Sequence, residues 1–197
     1  MFQIDTTDEI VVESNSGGRA TYKNADKTQQ RGIELGLENQ LPHDIRLYLA
    51  ATYMDATFET PFLTCPIPAP SSGPPCPTAA RVTIPAGNAI PAIPQYQVYA
   101  DLSWRYEPWG LATGLEARWQ GKAYVNDANS EFAAAFTVVN LRAGLVQRSG
   151  NWRLTEFGRV DNLFDENYIG GIVVNDANGR FYAPAPTRAF LLGVTAS

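Results

Sequence analysis

Few residues in this sequence have the types and spacing that chemistry demands. The chain has one histidine, His43, in the turn-forming run Asn39-Gln40-Leu41-Pro42-His43. A hydrolytic site needs a nucleophile, a base and a group that orients the base. One histidine in a solvated turn supplies too little, so no catalytic set is expected. No Gly-rich phosphate loop opens a helix pattern. The two cysteines, Cys65 and Cys76, fall in one proline-rich run. No CxxC spacing accompanies them, so a metal site is not expected. They read either as two free thiols or as a disulfide closing a short loop in an oxidising compartment, and the flanking prolines favour the disulfide. One short word occurs twice, as Val125-Asn126-Asp127-Ala128-Asn129 and Val174-Asn175-Asp176-Ala177-Asn178. Asx-rich runs can offer oxygens to a hard cation such as calcium. With so few carboxylates, two local Asx turns are the simpler reading.

The elements that carry the remaining polar residues are strands. Along 95–106, Tyr96, Val98, Ala100, Leu102, Trp104 and Tyr106 alternate with Gln95, Gln97, Tyr99, Asp101, Ser103 and Arg105. A period of two puts one greasy and one wet face on a strand. The same split marks Ile45 to Tyr53, Ile33 to Leu37, Leu111 to Trp119, Val139 to Leu145 and Phe190 to Ala196. About eight strands follow, over 2–13, 19–39, 43–57, 94–106, 110–124, 135–147, 151–163 and 187–197. Tight turns near 39–43, 107–109 and 148–151 alternate with long links over 58–93, 125–134 and 164–186. Ten of the 14 prolines lie between Pro61 and Pro94. Proline resists ladder pairing, so 58–93 reads as an irregular loop with polyproline character.

In an up-and-down meander, alternate links lie at opposite ends, so one rim has short turns and the other long loops. That asymmetry belongs to transmembrane β-barrels. No stretch approaches the roughly 20 apolar residues of a membrane helix. Trp104, Tyr106, Trp109 and Trp152 lie near short turns, and Trp119, Tyr124, Phe132 and Phe136 near long links, as two membrane interfaces favour. The formal charge of -5 argues against a nucleic-acid partner. The wet-face arginines Arg105, Arg118, Arg142 and Arg159 then line an interior, where they pair with Asp101 and Glu116 on the same wall or attract anions. Arg180-Phe181-Tyr182, in a long link, combines a guanidinium with aromatic rings, a set suited to a negatively charged ligand.

Two motifs sharpen this picture. Asn162-Leu163-Phe164-Asp165-Glu166-Asn167-Tyr168 resembles the "N-L-F-D-x-x-Y" signature near the C-terminus of TonB-dependent receptors. The run Asn24-Ala25-Asp26-Lys27-Thr28-Gln29-Gln30-Arg31-Gly32-Ile33-Glu34 is similar to that family's "N-x-x-x-T-x-x-x-G-x-E" strand. Pro91-Ala92-Ile93-Pro94-Gln95-Tyr96, entering a strand after a long link, fits as well. The resemblance covers essentially all of residues 1–197. It implies an all-β fold, the C-terminal portion of a 22-stranded barrel in the outer membrane of a Gram-negative bacterium, with 58–93 an extracellular loop. It also implies that the protein is no enzyme but a receptor that imports a ferric siderophore or similar scarce nutrient, contacts outer-membrane lipid, and is driven by TonB through a plug domain that these residues do not include. On this reading Arg118, Arg142, Arg159, Arg180, Phe181 and Tyr182 are the candidate ligand contacts.

Three features depart from the pattern. No plug, TonB-contacting segment or secretory signal is visible, which makes a fragment the expectation. The last residue, Ser197, stands where such barrels usually end in an aromatic. Glu156 falls in phase with Leu154 and Val160 on the lipid face, a conflict that a β-bulge would remove. Eight strands of a 22-stranded design have the wrong curvature to close, so an open curved sheet is expected of this chain alone. The competing reading is a water-soluble all-β module that binds carbohydrate.

Overall fold

The computed structural model describes residues 1–67 and 77–197. Among them the strands are β1 (Phe2–Thr7), β2 (Ile10–Ser16), β3 (Arg19–Asn24), β4 (Lys27–Leu41), β5 (Ile45–Phe58), β6 (Phe62–Thr64), β7 (Val82–Ile84), β8 (Tyr96–Tyr106), β9 (Leu111–Gln120), β10 (Ala123–Tyr124), β11 (Phe132–Ala133), β12 (Phe136–Ser149), β13 (Trp152–Asp161), β14 (Ile169–Ile172), β15 (Tyr182–Pro184) and β16 (Ala189–Ala196). Eight of them form one open sheet in the order β1-β4-β5-β8-β9-β12-β13-β16, and the others pair as four small hairpins. Every neighbour in the large sheet is antiparallel. The result is the expected eight-stranded meander.

Register explains why alternation was so regular. Leu47, Leu102, Leu115, Leu141, Val160 and Phe190 stand side by side across six strands with no slip. A one-residue slip anywhere would move a whole strand's apolar set to the wet face. These side chains stay open: Leu102, Leu115 and Phe190 keep 45, 42 and 71% of their surface exposed. A water-soluble sandwich would bury that row.

Aromatic rings bound the apolar band. Trp104, Tyr106 and Trp109 contact in sequence at the short-turn rim, with ring centroids 5.7 and 5.2 Å apart. Tyr53, Tyr96 and Trp119 form a second chain toward the long links, at 5.0 and 6.2 Å. The 11 residues of β8 that join the two groups run about 33 Å along the strand. At the roughly 40° tilt of such barrels this is about 25 Å of height, the width of an outward apolar band.

The short turns are tightly specified. His43 and Asp44 take φ of 66° and 57°, two left-handed residues that close the three-residue turn between the paired Leu41 and Ile45. At Gly110 (φ 62°) a Cβ would run into the Val146 carbonyl oxygen, so glycine is required there for space as well as conformation.

The long links differ from expectation. The strand expected over 2–13 is two, β1 and β2, broken at Asp8 (φ 60°); that over 19–39 breaks before β4 at Asp26 (φ 61°). Alternation continues through both breaks because β2 and β3 pair as a hairpin of their own, so periodicity could not reveal them. The run over 110–124 likewise leaves the sheet after Gln120. Residues 58–93, expected to be irregular, contain the β6–β7 hairpin. The best-buried apolar side chains lie in these excursions and at the strand end beside them: Ala25, Ile84 and Phe58, the last residue of β5, form a cluster joined by Val11, Phe62 and Ile90, and Val125 and Phe181 are also buried.

No bulge rescues Glu156. The β12–β13 and β13–β16 registers are continuous, which sets Glu156 between Leu145 and Val194 on the apolar face.

Candidate functional site

The concave wet face carries a layered charge pattern dictated by register. One row across the sheet reads Glu38, Tyr48, Asp101, Glu116, Asn140; the next reads Gln40, Arg46, Ser103, Gly114, Arg142, Arg159. The two rows neutralise each other. Arg142 donates to both Asp101 oxygens, at 2.7 and 2.9 Å, and approaches Glu116 at 3.8 Å. The reach is long, since β9 lies between β12 and β8. Gly114 makes it possible: a Cβ there would sit 2.6 Å from the Arg142 Cζ, so the guanidinium lies flat over the glycine. Arg159 Nε donates to Asp161 at 2.6 Å and its second nitrogen lies 3.9 Å from Glu116. Asn140 donates to Glu116 at 2.9 Å. Bidentate arginine pairs of this kind are strong and hold their geometry. Nearer the short turns, Arg46 meets Glu38 at 2.7 Å and Arg105 meets Glu107 at 3.5 Å, both pairs largely exposed.

Arg118 is different. It has no carboxylate partner among the described residues, and its guanidinium stands 5.2 Å from the centroid of Phe136. Phe136 in turn packs on Tyr168 at 4.3 Å. Arg118, Glu116, Asn140, Asp161 and Tyr168 line a recess of about 440 Å³ at the long-link end of the wall. A larger hollow of about 600 Å³ lies toward the short turns, lined by Arg46, Arg105, Arg142 and Arg159 together with Phe157 and Leu191.

The family model "TonB dependent receptor-like, beta-barrel" matches residues 1–163. The chain belongs to the TonB-dependent receptor β-barrel family. Solved structures agree on the fold. The chain is similar to BauA, the ferric preacinetobactin receptor from Acinetobacter baumannii, with 18% identity and a TM-score of 0.69 over 98% of this chain and 26% of that one. The siderophore receptor PiuA from the same organism matches with 20% identity and a TM-score of 0.66, over 89% of this chain and 22% of that one. Fiu, the ferric-catecholate import receptor of E. coli K12, matches with 21% identity and a TM-score of 0.64, over 98% and 24%. The chain thus spans about a quarter of the length of these receptors.

Within this TonB-dependent receptor wall the Asn162–Tyr168 motif is a structural joint. Asn162, buried and at φ 53°, accepts from the Glu166 N–H at 2.8 Å and donates to the Glu166 carbonyl at 2.9 Å. Its own N–H donates to the Asn140 side chain at 2.8 Å. Asp165 accepts from the Arg188 N–H at 2.8 Å. The signature therefore ties the exit from β13 to the return into β16 and places Tyr168 against Phe136.

The sequence-derived ligand candidates fall in two places. Arg118, Arg142 and Arg159 share the concave wall, where only Arg118 is free of carboxylates among the described residues. Arg180, Phe181 and Tyr182 stand apart on the β14–β15 excursion. The Arg180 side chain is exposed, Phe181 is buried, and Tyr182 donates to Glu131 at 3.2 Å. Burial pushes the Tyr182 hydroxyl above its ordinary value of 10.0, and the Glu131 carboxylate adds to the effect. Cys65 is 2% exposed; Cys76, its expected partner, lies outside the described residues.

The repeated Asx word is where sequence reasoning came nearest to a feature it did not identify. Both copies form local turns: Asn126 accepts from the Ser130 N–H at 3.1 Å, and Asp176 from the Asn178 and Arg180 N–H groups at 2.9 and 3.0 Å. No cation-binding group of three or more His, Cys, Asp or Glu side chains occurs among the described residues. The word also does something that no local turn requires. It brings buried polar atoms of separate excursions together, and the ion pair Lys23–Asp127 at 2.9 Å is part of that junction.

Proposed function

We propose that this chain forms the C-terminal wall of an outer-membrane receptor that takes up a ferric siderophore or a similar scarce chelate, with energy supplied through TonB. The carrying observation is the two-faced sheet: an apolar row from Leu47 to Phe190 turned outward between aromatic girdles, and a charge-paired concave face turned inward. Lipid outside and a polar lumen inside account for both faces at once. The edges β1 and β16 carry unpaired backbone, which hydrocarbon does not tolerate, so strands and a plug from outside these residues complete the pore. In that pore Arg118, beside Phe136 and Tyr168, is the wall residue open to an anionic group. Arg180 and Tyr182 face the outer surface, residues 58–93 form an extracellular loop, and Arg142 and Arg159 serve as structural members of the wall.

The test uses the bacterium that makes the protein. Deleting its gene under iron limitation should abolish uptake of at least one radiolabelled ferric chelate, and removing TonB should abolish the same uptake. Uptake of every ferric chelate tried that survives gene deletion would overturn the ligand class. Uptake that needs the gene but not TonB would overturn the energy source.

A further inference from the structure

The four excursions at the long-link rim, residues 8–26, 59–67 with 77–95, 121–135 and 162–188, are far apart in sequence and would ordinarily be pictured as four independent loops. The polar atoms between them say otherwise. Asn175, 1% exposed, donates its side-chain N–H to the Val12 carbonyl at 2.7 Å and accepts the Asp127 N–H at 3.1 Å. Its backbone N–H donates to Val125 at 3.0 Å, and its carbonyl accepts from the Asn15 N–H at 3.0 Å. Asn15 returns the contact, donating its side chain to the Val174 carbonyl at 2.7 Å. One asparagine therefore joins three excursions.

Asp127, 2% exposed, brings in the fourth. Its carboxylate holds Lys23 at 2.9 Å, and the Lys23 ammonium also donates to Thr64 at 2.6 Å. The Asp127 carbonyl accepts from the Asn88 side chain at 2.8 Å. Two residues on, Asn129 grips Ala89 through both its N–H and its carbonyl, at 2.8 and 2.9 Å. Lys23 and Asp127 have side chains only 11 and 3% exposed. Each excursion thus satisfies buried polar groups of at least two others, the 8–26 and 121–135 excursions linking the remaining pair, and lifting one away would leave such groups unpaired in its neighbours.

We infer that Asp127 and Asn175 are the hub of a single cooperative cap: the four excursions open together or stay closed together, and none acts as a separate gate. The cap's stability is a property of the junction, in the way that contiguous units of a protein open as one. Gating by an isolated one of these loops is therefore excluded, and any closure over a ligand moves the cap as a body.

Hydrogen exchange on the protein purified from outer membranes tests this. Reporters are the N–H groups of Asn15, Ala89, Asp127 and Ala177, one in each excursion, all bonded across the junction. Asn175→Ala and, separately, Lys23→Met should each speed exchange at all four reporters together, by roughly a hundredfold for Lys23→Met, which strands the Asp127 carboxylate. Pairing Lys23→Met with Asp127→Leu removes both charges and should restore much of the protection. Heat-modifiable gel migration of each variant checks that the barrel itself is folded. Faster exchange confined to the substituted excursion, in a folded barrel, would overturn the cooperative cap. So would a double variant no better protected than Lys23→Met.

Discussion

Leu49 and Ala50 are adjacent in β5 and point to opposite faces at the same depth. Leu49 sits in the outward row with Leu37 and Ala100, and Ala50 on the concave side between Gly36 and Tyr99. Leu49 is four residues from the short-turn end of its strand and four from Tyr53 in the other girdle, which makes it central in the apolar band. An arginine in that position must place a guanidinium in hydrocarbon, at a cost of about 2–4 kcal/mol near the mid-plane. At Ala50 the same side chain enters a water-filled concavity, where a substitution away from packed groups changes stability by about 0.5 kcal/mol or less. The expected difference between Leu49→Arg and Ala50→Arg is therefore about 1.5–4 kcal/mol, at least roughly tenfold in the folding equilibrium constant. Guanidinium unfolding of the protein reconstituted in bilayers measures it directly. Equal costs, or a larger cost for Ala50→Arg, would show that the two faces have been assigned the wrong way round and would end the argument for a lipid-facing row.

Three further outcomes follow from particular contacts. Replacing Glu156 by Leu should stabilise the protein in bilayers by about 1–2 kcal/mol, since a carboxylate on the lipid face costs somewhat less than a basic group; a loss of stability in the same unfolding experiment would mean that Glu156 has a partner there. Asn162→Ala removes two hydrogen bonds to Glu166 and puts alanine at φ 53°, which should cost about 2–3 kcal/mol of local stability and be read as faster hydrogen exchange over 162–168 with the strands unaffected. The raised Tyr182 hydroxyl binds its proton more tightly in the folded cap than in the unfolded chain, so its contribution is complete below pH 10.0 and is lost as pH rises through the higher folded value; titration of the cap's exchange rates should show protection falling on the alkaline side, and the fall should be smaller in Tyr182→Phe.

The sheet was legible because each strand has one greasy and one wet face, and that requirement writes itself into every second residue. The row from Leu47 to Phe190 could be anticipated strand by strand, although its lateral alignment could not, since register between strands is set by turn geometry and by Gly110 and its neighbours. The paired arginines were half legible: Asp101 and Glu116 were available on the same wall, but the reach of Arg142 to Asp101, two strands away, depends on the missing side chain at Gly114 on the strand between them. The excursions were least legible. Asp8 and Asp26 end strands by taking left-handed conformations that aspartate only sometimes adopts, and the hairpins beyond them keep the same alternation. The contacts of Asn175 with Val12, 163 residues away, left no local trace except the repeated Asx word, whose turns were visible and whose long-range partners were not.

On the membrane-wall function proposed above, these differences have one physical origin, the two media in which the chain is stabilised. Within the band between the girdles, water is absent outside and the backbone must pair with itself, so stability there rests on the ladder and on apolar side chains that need no protein partner. That is why the sheet can carry regular alternation and almost no buried core of its own. Beyond Tyr53, Tyr96 and Trp119 the chain is in water, and the hydrophobic effect again demands a packed interior. The interior appears there, in Phe58, Ile84, Val125 and Phe181, drawn from excursions that no single strand pattern connects. Polar residues follow the same division. Charges on the wall cancel row against row at half-buried or exposed sites, whereas Lys23 and Asp127 are sunk in the cap, where separation would be costly. The wall therefore depends on pattern and the cap on particular residues, so a conservative change such as Asp127→Asn should disturb this protein more than exchanging one outward leucine for another apolar residue.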